Sequence, residues 1–150
     1  MDYKRQDKLY DEKVLEIKRV SRTVKGGKRI SFRAIVAVGD KKGKVGVSSG
    51  KGVEVATAIR KAASKAKKNL VNITLNDYKS ILREVSVQIG TSSVLLRPAP
   101  QGTSIIAGPV VKAVAGLAGV ENLVTKLYGS NNKKNTAFAT VKGLIKSGTK

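Results

Sequence analysis

Two runs of β-branched and alternating residues, Val14 to Val24 and Ile30 to Val38, flank the tripeptide Lys25-Gly26-Gly27. Paired glycines between such runs predict a β-hairpin, because glycine reaches positive φ without a Cβ clash. The second arm fixes the pleat: Phe32, Ala34, Val36 and Val38 alternate with Arg33 and Ile35, so the two sets lie on opposite faces. Arg19, Arg22, Lys25, Lys28, Arg29 and Arg33 crowd the arms and tip, with no acid between them. Protecting a solvated edge against aggregation needs one or two cations. Six make the ribbon a candidate for binding phosphate.

Charge extends this reading beyond the hairpin. The chain carries thirty Lys and Arg against ten Asp and Glu, a formal charge of +20 over 150 residues. Sixteen of those cations and only two acids, Asp40 and Glu54, lie between Ile17 and Lys68, so +14 of the total sits in the first half. Self-repulsion of that size disfavours a compact state, and a polyanion relieves it. Nucleic acid is the first candidate. An anionic membrane is the second, but no amphipathic helix with bulky apolar anchors and no lipidation signal is evident.

Downstream of the hairpin, Gly39 to Gly43 reads as a second cationic turn and Lys44 to Ser48 as a third short strand. Ser48 to Gly52 then opens a helix from about Val53 to Asn69. On a helical wheel Val55, Ala56, Ile59, Ala63, Ala66 and Leu70 share one flank, with Lys61, Lys65 and Lys68 opposite and Arg60 and Lys67 at the border. Free N–H groups at the helix start, together with Lys51, suggest a phosphate seat. A short helical turn is expected at Tyr10 to Lys13. The first half is thus a short α-β-β-β-α module, a shape suited to contacting phosphates and 2′-hydroxyls of duplex RNA.

Val71 to Ser80 is polar and marks a boundary. The domain plan is a loose arm over 1–9, a first domain over 10–73, a linker over 74–81 and a second α+β domain over 82–150. In that second half Arg83 to Ile89 alternates, Val94 to Arg97 is a second strand, and Pro98 to Gly102 is loop. Pro109 stands at a first helical position, Gly119 stops that helix, Leu123 to Tyr128 is strand-like, and Asn135 is the expected cap of a last helix.

The chemistry of catalysis is missing from the sequence. There is no Cys and no His, which removes thiolates, Cys/His metal sites and the usual general base. Gly50-Lys51 fails as a nucleotide loop, since Gly52 stands where Ser or Thr belongs and Val45 where the first glycine belongs. No grouping of acids resembles a Mg²⁺ site. No cofactor, no metal and no enzymatic activity are expected. The charged N-terminus has no apolar signal core, so a cytosol-like compartment is expected.

Segments across most of the chain, Tyr10 to Leu144, resemble the small-subunit ribosomal protein five family of bacteria and organelles. They are RVSRTVKGGKRISFRAIVAVGD, GKVGV, SGKGVEVATAIRKAASKAKKN, LLRPAPQGTSIIAG, KAVAGLAGVENLVTKLYGSNN and ATVKGL. The resemblance implies a first domain like a double-stranded-RNA-binding domain and a second with a left-handed βαβ crossover. It implies a monomer within the ribosome, bound to 16S-type RNA beside small-subunit proteins four and eight, in a bacterial cytoplasm or plastid stroma. The hairpin tip, Ser21 to Lys28, would lie near the neck of the subunit, which adds Ser21, Thr23, Gly26 and Gly27 to the expected RNA-binding residues. Gly102, Thr103, Ser104 and Lys112 would meet protein four, at a face that influences decoding accuracy. Ser104 and Pro109 stand where the family usually has glycine, Lys112 where it has arginine, and Gly116 where it has glutamate. A free-standing double-stranded-RNA-binding assembly factor is the alternative function.

Overall fold

The computed structural model describes residues 9–149. Strands β1 (Asp11–Val24), β2 (Gly27–Gly39) and β3 (Lys44–Gly52) form an antiparallel meander, closed at one edge by the two-residue β4 (Val71–Asn72). Helix α1 (Val55–Lys68) lies between β3 and β4 in sequence. A second sheet has the order β5 (Val85–Ile89), β6 (Ser92–Pro98), β8 (Leu123–Gly129) and β7 (Ile105–Ile106). Helix α2 (Pro109–Ala118) connects β7 to β8, which pair in parallel, and α3 (Lys133–Ser147) follows β8.

The short helical turn expected at Tyr10 to Lys13 is not formed. Asp11 to Lys13 already belong to β1 and pair with Gly39, Val38 and Ala37. Extending the ladder satisfies backbone groups that a single isolated turn would leave open, and helix nucleation is unfavourable over so few residues. The first half among the described residues is therefore β-β-β-α-β. The arm placed at 1–9 falls, except for Leu9, outside the described residues.

Both faces of β2 are covered from Ala34 to Val38, where every position is apolar and buried. Ala34, Val36 and Val38 pack with Ala58, Ala62, Ala63 and Ala66 of α1. Ile35, Ala37, Val45 and Val47 join the larger core built by the second half, with Leu96, Val111, Val114, Leu117, Leu123 and Leu144. The β2–β3 turn is fastened to the end of α2: the Lys41 amide donates to the Leu117 carbonyl and the Gly43 amide to the Ala118 carbonyl, both at 2.9 Å. Asp40 holds that turn by accepting from the amides of Lys42 and Lys44. At Gly39 a side chain would collide with α2, since an added Cβ would lie 2.7 Å from the Leu117 carbonyl carbon.

The buried face of α1 differs from the wheel expectation. Ala58, Ala62, Ala63 and Ala66 are buried, whereas Ala56 is exposed and Val55 and Ile59 sit at the flanks. The cause is the closeness of the helix to β3. A Cβ on Gly50 would lie 2.6 Å from the Ala62 nitrogen, and one on Gly46 3.2 Å from the Asn69 carbonyl oxygen. Only alanine fits beneath such an approach, so the bulkier apolar residues are turned aside. The helix itself starts at Val55, with Glu54 as its extended N-cap, and Lys65, Lys67 and Lys68 complement the dipole in its last turn.

The second half follows the punctuation of the sequence more closely. Pro109 is the first residue of α2, and Gly119 ends it at φ 93°. The cap of α3 is Asn132, not Asn135: its side chain accepts from the amides of Lys134 and Asn135. Segment 74–81, expected as a linker, carries buried Ser80 and Ile81 and an Asx turn in which Asn76 accepts from the amides of Tyr78 and Ser80.

Candidate nucleic-acid interface

The hairpin is built as its glycines require. β1 and β2 run in register from Lys18↔Arg33 to Val24↔Gly27, and Lys25 with Gly26 (φ 98°) forms the turn. Arg19, Ser21, Arg22, Thr23, Lys25, Gly26, Gly27, Lys28 and Arg29 are all exposed. From Arg19 to Val24 the ribbon extends about 17 Å at the usual strand rise. Arg22 stands directly opposite Arg29. Like charges in that relation oppose each other, so the pair destabilises the free hairpin and favours an anion beside it.

A second basic surface lies along α1. Gly50, Lys51, Arg60, Lys61, Ser64, Lys65 and Lys68 line one groove of about 460 Å³. Five of the six cations expected on the helix and its approach therefore meet in one place, no acid lines the groove, and the sixth, Lys67, pairs with Glu12 at 2.8 Å. Lys51 reaches it from β3, because the segment Ser48 to Gly52, expected to open the helix, continues the strand. The expected seat at the helix start is altered accordingly: Glu54 occupies the N-cap, and the cations gather along the side of α1.

Arg33 is half-buried on the face of the first sheet that carries Ile35 and Ala37, opposite the face packed against α1. It pairs with Lys18 on one side and Lys51 on the other, so three cations form a row across three strands. Lys18 escaped the reading of the sequence, yet the two-residue turn fixes the register that brings it there.

The expected protein-contact residues gather at a separate place. Gly102, Ser104 and Lys112 line a shallow depression with Gln101, Ile105, Val120, Glu121 and Asn122, while Thr103 turns its hydroxyl to the Pro100 carbonyl. Buried Asn122 organises this loop: its Oδ1 accepts from the amides of Gly102 (3.1 Å) and Ser104 (3.2 Å), and its Nδ2 donates to the Tyr78 carbonyl (2.7 Å). A lone asparagine beside an acid gave no sequence signal of that role. Ser104 adopts φ 65°, a left-handed conformation that suits the glycine usual in the resembled family.

No group of three or more acidic residues among the described residues could hold a metal ion, and no described helix is long and apolar enough to cross a membrane.

The chain matches the family described as ribosomal protein S5, N-terminal domain, over residues 10–74, and the corresponding C-terminal domain over residues 87–149. It is 49% identical over 135 residues to the small ribosomal subunit protein uS5 of Thermotoga petrophila, covering 90% of this chain and 75% of the relative. It is 43% identical over 135 residues to uS5c of Emiliania huxleyi, covering 90% and 85%. It is 46% identical over 132 residues to uS5c of Spinacia oleracea, covering 88% of this chain and 43% of that longer relative. A basic, two-sheet α+β chain with these matches is a ribosomal protein of the small subunit, a component of translation. Within that class the chain belongs to the ribosomal protein S5 (uS5) family.

Proposed function

We propose that the chain is a structural, non-catalytic constituent of the small ribosomal subunit that binds 16S-type RNA through the hairpin and the α1 groove. The observation that carries this reading is the gathering of Lys51, Arg60, Lys61, Lys65 and Lys68 in one acid-free groove, beside a projecting hairpin with six further cations. The first sheet and α1 act as a double-stranded-RNA-binding-like module, and the β7–α2–β8 unit takes the left-handed crossover. The domains divide as 10–73 and 82–150, with 74–81 between them. Gly102, Thr103, Ser104 and Lys112 face protein four, and protein eight is a second neighbour. The chain is a monomer within the ribosome of a bacterial cytoplasm or plastid stroma, where it supports the body and neck, assembly and decoding accuracy.

Binding by counterion release makes affinity fall with salt in proportion to the phosphates neutralised. Replacing Lys25, Lys28 and Arg29 together with alanine flattens the slope of log affinity against log salt by roughly 2 to 3 for a helical target. Titration of a small-subunit RNA transcript at several salt concentrations measures it. An unchanged slope removes the hairpin from the interface.

A further inference from the structure

Among the described residues, Arg33 Nε is the single buried side-chain nitrogen or oxygen without a hydrogen-bond partner. A donor left in that state raises the free energy of the unbound chain, since it has given up water and gained nothing. Its position makes the omission informative. Lys18, Arg33 and Lys51 occupy one row on neighbouring strands of one sheet face. Strands lie about 4.8 Å apart, so three long side chains in such a row reach a common point above Arg33. Of these, Lys18 is partly countered by Glu16 at 3.7 Å.

We propose that Arg33, flanked by Lys18 and Lys51, seats one backbone phosphate of the bound RNA; this rests on the RNA-binding reading above. Nε–H and one Nη–H form the side-on fork that matches two phosphate oxygens. A rotamer change brings the fork out to the phosphate, and the change breaks no hydrogen bond at Nε. The orphaned donor of the free chain is satisfied only in the complex, so this arginine favours the bound state at the expense of the unbound one. The Arg22–Arg29 pair lies farther along the same face, whereas α1 covers the opposite face, toward which Gly50 and Gly52 turn.

The full chain carrying Arg33→Met tests this against a small-subunit ribosomal RNA transcript. The variant removes the orphaned donor and the repulsion from Lys18 and Lys51. Its Tm without RNA therefore rises by about 2–4 °C, while affinity falls about fivefold or more. An arginine that merely supports the fold would move both quantities downward. Arg33→Lys retains the charge and so the salt slope, yet loses affinity because a lysine has no fork. A Tm that falls in Arg33→Met, or either variant binding as tightly as the wild type, overturns the seat alone. A wild-type chain that ignores the transcript overturns the RNA-binding reading and the seat with it.

Discussion

The backbone nitrogen of Ala62 lies 2.6 Å from the point that a Cβ on Gly50 would occupy. Helix α1 thus rests on the main chain of β3 itself. Gly50→Ala forces the helix away from the sheet, and overpacking of this kind costs about 1–3 kcal/mol. Urea unfolding of the variant gives the loss directly. Because Gly50, Lys51 and the α1 cations share one groove, the same substitution weakens RNA binding although it alters no charge.

Asn122 ties three backbone groups of the second half together. Asn122→Ala leaves the amides of Gly102 and Ser104 and the Tyr78 carbonyl without their partner, at a position 5% exposed. Gly102, Ser104 and Tyr78 are exposed, so water can replace the lost partner and the cost is about 0.5–1.5 kcal/mol per bond. Hydrogen exchange provides the local check, with faster exchange expected at Gly102 and Ser104 than at the β6–β8 ladder.

At Ser104 the expected change is a gain. A non-glycine residue at φ 65° is strained, and glycine relieves that strain while adding freedom to the unfolded chain. Ser104→Gly is therefore neutral to stabilising, by at most about 1 kcal/mol. A denaturant midpoint below that of the wild type would contradict it.

Arg29→Glu separates the stability of the hairpin from its use. The new acid faces Arg22 across the strands, so the free chain becomes slightly more stable at low salt and the gain vanishes in 1 M salt. RNA affinity falls despite that gain. Thermal unfolding at two salt concentrations, beside an RNA titration, reads both effects.

The legible parts of the chain were those with local causes. The Lys25-Gly26-Gly27 turn, Pro109 and Gly119 each announce an element end, and period-two alternation around Phe32 to Val38 announces a strand with two different faces. The family was legible for another reason, since long matching segments such as RVSRTVKGGKRISFR carry order and spacing as well as composition. What local causes did not reveal depends on partners far away in sequence. The wheel placed Val55, Ala56 and Ile59 inward because it weighs hydrophobicity, whereas the approach of β3 at Gly46 and Gly50 selects by size. Asp11 to Lys13 are strand because β2 extends far enough to pair with them. The gathering of Lys51 with Arg60 and Lys65 also required the fold, as strand and helix meet there in space.

The two-sided burial of β2 bears on how the polypeptide is made. During synthesis the first sheet and α1 can form before α2 and the second sheet have left the exit tunnel. Until they do, Ile35, Ala37, Val45 and Val47 are a wet apolar surface on a nascent protein with a large excess of positive charge. That interval is when the chain is most open to aggregation, and it ends only when translation has supplied Leu117 and the residues that follow it.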